Sequence, residues 1–215
     1  MSSGQRSASA RVPSCGDWLA AEVAAFAAAE PPRPPAPRLG RLRAQARLAA
    51  GRPLLHEEPL ALDVAFVARL AARLLQEAAR HGEPRAADAA HALRAAPLQL
   101  AALVEEAFVG HREHLEQLTA TLGPAQPVLL DALEQATLPL LRLAAAVIRD
   151  HLAGVVWGRA YCPVCGALGL PADAATLRCP RCDTAWPGRP TPGASAFSLE
   201  LGSPRPLDAE EWWDD

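Results

Sequence analysis

Four cysteines in two C-x-x-C pairs constrain this chain more than any other feature: Cys162 and Cys165, then thirteen intervening residues, then Cys179 and Cys182. A C-x-x-C turn lets two sulfurs converge on one cation, and two such turns supply the four thiolates of a closed tetrahedral centre. Gly166 and Asp183 follow the second cysteine of each pair, where a left-handed backbone turns amides toward the sulfurs. The connection is long enough for a hairpin, with residues 174–177 as the candidate strand into the second pair. Four sulfurs leave no open coordination position, so the expected role is a staple holding one metal per chain. Zinc is the expected occupant, and an iron S4 electron-transfer centre is the alternative. A thioredoxin-type dithiol would need a βαβ unit, and no such pattern surrounds these cysteines.

The 215 residues allow one sizeable helical domain plus a small appended module. All 21 basic residues are Arg, a compositional bias that discounts any one Arg cluster. A net charge of -3 and a pI near 6.1 give no global attraction to nucleic acid or anionic membrane. Asp17, Glu22 and Glu30 break up any apolar leader, and Arg142 interrupts the most apolar run, 138–148, so neither a secretory signal nor membrane insertion is expected. Paired cysteines suit a reducing compartment, the cytoplasm, with Cys15 left over as a free thiol.

Along the chain, residues 1–37 are expected to be a disordered N-terminus, an Ala-rich helix capped by Ser14 or Asp17, and a stiff Pro-rich spacer over 31–37. Residues 38–154 read as a multi-helix domain, with helices over 39–50, 63–81, 85–95, 98–109 and 112–122. Phe66, Val67, Leu70, Leu74 and Leu75 form one buried stripe. Two further segments, 128–138 and 139–152, put Leu129, Leu133, Leu140, Leu143 and Val147 along one buried side, with Pro139 expected to kink or split them. No period-two strand pattern precedes residue 155. The fold class is therefore mostly α: an N-terminal multi-helix domain, then a four-cysteine module of zinc-ribbon type over 155–187, then a flexible acidic tail over 188–215 containing Trp212 and Trp213.

Other features carry less. His111 and His114, beside Glu113 and Glu116, share a predicted helix but lack a third ligand, so they read as a solvated face. His81, before Gly82, reads as a helix-end residue facing the dipole. Arg38, Arg41, Arg43, Arg47 and Arg52 form a basic face with no acid between them. Arg159, Arg178, Arg181 and Arg189 around the cysteines would support a nucleic-acid-binding ribbon, but the acidic tail over 208–215 weighs against it. No phosphate loop, dinucleotide motif or nucleophile–base arrangement is present, and no enzymatic activity is expected.

The stretch Trp157-Gly-Arg-Ala-Tyr161-Cys162-Pro-Val-Cys165-Gly166, followed by Cys179-Pro-Arg-Cys182-Asp-Thr184-Ala-Trp186, resembles the central region of the formate dehydrogenase accessory protein family. Gly51-Arg-Pro-Leu-Leu55, residues 115–123 and the Leu-rich 128–152 segment look like that family's helical half, so the resemblance covers about residues 38–187. It implies a helical N-terminal half, rubredoxin-like knuckles in the C-terminal half, and a non-catalytic, chaperone-like role. The partner it implies is the catalytic subunit of respiratory formate dehydrogenase, a molybdenum or tungsten enzyme often exported by the twin-arginine route, whose maturation the family supports. Cys162, Cys165, Cys179 and Cys182 would be the family's first metal site. The chain looks shortened, since the family usually has a second set of paired cysteines and no cysteine follows Trp186. Under this reading Arg41, Arg43 and Arg47 face an acidic patch on the client, Glu105, Glu106 and Glu113 attract its basic signal, and the tail is dispensable.

Overall fold

The computed structural model describes residues 15–56, 58–95, 99–173 and 175–188; the expectations for residues 1–14, the side chain of Cys15, Arg189 and the tail lie outside the described residues. In chain order the elements are α1 (Cys15–Ala29), α2 (Arg41–Ala49), α3 (Val64–Arg80), α4 (Ala86–Ala95), α5 (Leu100–Val109), α6 (Arg112–Leu118) and α7 (Gln126–Ile148). Three short strands follow: β1 (Leu170–Pro171), β2 (Thr176–Arg178) and β3 (Ala185–Pro187).

α3 begins where its sequence asks it to. The Asp63 carboxylate accepts from the Phe66 amide at 3.0 Å, satisfying one of the amides orphaned at a helix start. Its other oxygen accepts from the Arg33 amide at 3.1 Å and so ties the Pro-rich stretch to the helix. Partial burial pushes this carboxyl up, but the Arg33 and Phe66 amides and the Arg33 and Arg69 charges outweigh it and hold Asp63 below its ordinary value. The Pro-rich stretch forms neither helix nor strand, and Pro32 and Pro35, three residues apart, are both buried, the spacing a threefold polyproline helix lying on a surface would present. At the far end, His81 is the C-terminal cap of α3 and stacks on Trp18 with ring centroids 4.8 Å apart.

The predicted stripe of α3 is buried and packs on α7 at the centre of the molecule. α4 and α5 lie against this pair, and α1 covers both through Val23 and a Phe26–Phe66 ring contact at 5.7 Å. Each such side chain removed from water contributes roughly 1.5–3 kcal/mol, so the pairing of α3 with α7 dominates the core.

Two expectations for the last helix are corrected. α7 is not split at Pro139: one helix continues through it. A mid-helix proline costs about 3 kcal/mol in isolation, but Pro139 is itself buried in this core between Ala136 and Leu140, and the Thr137 hydroxyl donates to the neighbouring Glu134 carbonyl at 2.8 Å. Val147 is exposed and Leu143 only half-buried, because Ala144, Ala145 and Ile148 occupy the inward side instead. Small alanines let α7 approach its neighbours closely, and the buried stripe rotates to follow them.

No strand precedes residue 155 among the described residues. The sheet is antiparallel in the order β1-β2-β3, with Leu177 opposite Trp186 and Arg178 opposite Ala185. The predicted strand is thus shifted to Thr176–Arg178, so that Leu177 turns inward and leads into Cys179.

Candidate metal centre

Each cysteine pair closes on itself in the same way. The Gly166 amide donates to the Cys162 carbonyl at 3.0 Å, and the Asp183 amide to the Cys179 carbonyl at 3.1 Å. The Cys162 amide donates to Ala167 and the Cys179 amide to Thr184, at 2.8 and 2.9 Å. Both turns require a left-handed residue after the second cysteine, and Gly166 and Asp183 supply it with φ of 80° and 61°. Asp183, a residue type that tolerates this region better than most, is the only non-glycine residue with positive φ among the described residues.

The two turns face each other and bring the four sulfurs within 4.8 Å of one another. Cys162–Cys182 and Cys165–Cys179 are 3.5 Å apart and Cys165–Cys182 3.7 Å. A tetrahedron with metal–sulfur bonds of ~2.3 Å has edges of about 3.8 Å, so one ion fits the cage. Amides of Val164 and Cys182 point at the sulfurs of Cys162 and Cys179 at 3.4 Å, and the Thr184 hydroxyl lies 3.1 Å from the sulfur of Cys182. These are the donors a thiolate cage needs around it. Four such thiols do not ionise alike: hydrogen bonds from Cys162, Cys179 and Cys182, then burial, push Cys165 far up, while bonds from Cys162, Cys165 and Cys182 hold Cys179 far down. A divalent cation would displace the protons they share.

Each turn also grips a different corner of the helical body. The amides of Leu54 and Leu55 donate to the carbonyls of Pro163 and Val164, inside the first pair, both at 2.9 Å. The Tyr161 hydroxyl donates to the Gly51 carbonyl at 2.7 Å, and burial pushes its phenol up despite the opposing charge of Arg159. Arg159 sits 5.9 Å from the Trp157 ring and 5.8 Å from the Tyr161 ring. From the second pair, Arg181 donates to the carbonyls of Ala107, Phe108 and Val109 at 2.8, 3.1 and 3.0 Å. The Gly110 and His111 amides take the remaining terminal carbonyl of α5, that of Glu106. Since α5 has no basic residue in its last turn, Arg181 supplies the cation its dipole lacks.

Arg181→Ala is therefore expected to cost roughly 2–3 kcal/mol in urea unfolding, the loss of bonds from a charged donor to partly buried carbonyls. Arg181→Lys should recover only part, because a point charge does not span three acceptors. Gly110→Ala should cost as much again: its φ is 92° and an added Cβ would collide with the guanidinium of Arg181, which its three carbonyl bonds hold in place. A loss below about 0.5 kcal/mol for Arg181→Ala, the size of an ordinary surface change, would show that this corner is not held by it.

The remaining sequence candidates do not assemble a second centre. His111 lies before α6 rather than on it, and both His111 and His114 place Nδ1 3.0 Å from the carboxylate of Glu106, on α5, rather than on Glu113 or Glu116. The four cysteines form the only metal-competent cluster among the described residues. The basic face around α2 is also not what its sequence suggests. Arg47 is mostly buried, 3.3 Å from the carboxylate of Glu58, and Arg43 reaches the same oxygen at 3.7 Å. Arg178 pairs with Asp183 at 2.8 Å. Glu58, whose side chain is wholly buried, had no signal in the sequence beyond its place in a connecting loop.

No helix among the described residues is long and apolar enough to cross a membrane. No family model, curated protein or solved structure matches this chain.

Proposed function

We propose that the four-cysteine centre is a structural zinc site, and that the helical body it braces binds a protein client, the catalytic subunit of a formate dehydrogenase-type metalloenzyme, to assist its maturation without catalysing a reaction. The observation that carries the structural role is the cage itself: four sulfurs converge, amides and a hydroxyl ring them, and both turns are spent on holding helix corners. Such a site has no open position for substrate or water. The client reading is supported by the motif resemblance around Trp157–Gly166 and Cys179–Trp186.

Zinc is favoured over iron because paired knuckles that serve as staples need no redox chemistry. Elemental analysis of the purified chain should give one zinc per chain and no visible charge-transfer absorption; an iron-coloured protein would move the centre to electron transfer. Affinity-tagged full-length chain, expressed with a formate dehydrogenase catalytic subunit, should co-purify with it. Absence of that complex at low and moderate salt would remove the client assignment and leave the staple standing.

A further inference from the structure

The junction between α7 and the sheet carries an open groove beside the second cysteine turn, with Cys179 in its wall. Two open depressions of about 480 and 520 Å³ lie along it and share Arg178 and Asp183 in their walls. Arg142 lines the first and Arg149 the second. Arg142 lies on α7 and Arg149 caps its end, where the chain passes into a 3-10 turn over 149–152; a spacing of seven residues puts both on roughly the same side, about 10 Å apart. Both are exposed, and neither has an ion-pair or hydrogen-bond partner among the described residues. Arg178 stands opposite them on β2. Leu170, half exposed, and Leu152 add apolar surface to the walls, and Asp150 adds a second carboxylate beside Asp183.

We propose that this groove takes an acidic peptide segment of a protein partner, with carboxylates on Arg142 and Arg149 and apolar side chains on Leu170 and Leu152. This deepens the accessory reading above and rests on it for the partner's role. Two free guanidiniums at fixed spacing call for anionic groups at matching spacing. A nucleic acid strand fits the same charge poorly. Single strands are held by bases stacked on exposed aromatic rings, and the rings of this module are spent elsewhere: Trp157 and Trp186 are buried, with Nε1 donating to the carbonyls of Tyr161 and Arg159. The client contact thereby moves from the α2 face, where Arg43 and Arg47 are engaged by Glu58, to the α7 face.

The test uses the full chain, with fluorescein-labelled poly-Glu, poly-Gln of equal length and an oligo-dT strand as anisotropy probes. Poly-Glu should bind, weaken as salt rises, and lose at least about tenfold in affinity in Arg142→Glu/Arg149→Glu; poly-Gln and oligo-dT should not bind. Neither side chain has a partner to lose, so the variant should lower its thermal unfolding midpoint by only a few degrees, the cost of an acidic residue at the C-terminal end of α7. Tighter binding of oligo-dT, lost in the same variant, would make the groove a nucleic-acid surface and overturn the proposal. Absence of poly-Glu binding, or binding unaffected by the charge reversal, would overturn it as well. The two readings fail separately: a client captured equally by the variant removes the groove and keeps the accessory role, whereas poly-Glu binding without client capture does the reverse.

Discussion

Cys182→Ser is expected to lose its metal and open residues 157–187 to protease, and its damage should reach the helical body. Structural zinc binding is worth on the order of 10 kcal/mol in zinc-finger peptides, comparable with the whole stability of a domain at about 5–15 kcal/mol. The module has little else: of its own side chains Trp157, Val164, Leu177, Trp186 and three of the cysteines are buried in the core, with Val155, Tyr161, Cys165 and Ala167 packed partly against it. A unit of this size does not stand on burial alone. A serine hydroxyl is a poor replacement for a soft thiolate, so three sulfurs would hold the ion weakly.

Once the cage opens, Pro163 and Val164 no longer fix the Leu54 and Leu55 amides, and Arg181 no longer caps α5. Leu54, Leu55, Ala107 and Phe108, whose backbone groups those supports hold, are all core residues. Limited proteolysis followed by mass mapping should therefore show cuts in 157–187 first and around residues 51–56 next, while far-ultraviolet circular dichroism, set by α3 and α7, falls little. One retained metal equivalent with an unchanged digest would sink this expectation. A collapse of the whole helical signal would show that the brace carries the core rather than its corners.

The convergence of the four cysteines was legible because its determinants are local. Two sulfurs three residues apart, with Gly166 or Asp183 behind them, dictate a turn whatever surrounds it. The Asp63 cap and the α3 stripe were legible for the same reason. What the sequence hid are contacts between distant residues. Arg181 reads as one basic residue beside a cysteine, and only the docking of the second turn on α5, more than seventy residues away, makes it a helix cap. Arg47 reads as part of an unopposed basic face until the loop after α2 folds Glu58 under it. Val147 failed differently: where Ala fills several sides of a helix, periodicity does not say which side is buried, and close packing of Ala144 and Ala145 decided it. The split at Pro139 failed because a local cost of about 3 kcal/mol was set against burial across the whole of α7.

Arg47→Met is expected to cost about 3–5 kcal/mol, the usual consequence of stranding one member of a buried ion pair. The Glu58 side chain has no solvent exposure, and neither of its oxygens has a hydrogen-bond partner among the described residues, so ionic contact alone supports its charge. Arg43 remains in the variant, but at 3.7 Å and with its own side chain 58% exposed it is a screened and weaker partner. Arg47 also donates to the carbonyls of Leu54 and His56, at 2.8 and 2.6 Å, closing the loop that presents Leu54 and Leu55 to the first cysteine turn. The pair and the loop closure separate in a double variant. Arg47→Met with Glu58→Leu removes both charges and buries apolar groups in their place, which recovers the ionic part of the loss. What remains should be about 1–2 kcal/mol for the two lost carbonyl bonds. Urea unfolding of the two single variants and the double should then give a coupling of at least about 1 kcal/mol. Additive losses, or an Arg47→Met variant within about 1 kcal/mol of the parent, would mean that the Glu58 charge is supported by Arg43 or by water, and that the loop is held from the cysteine side alone.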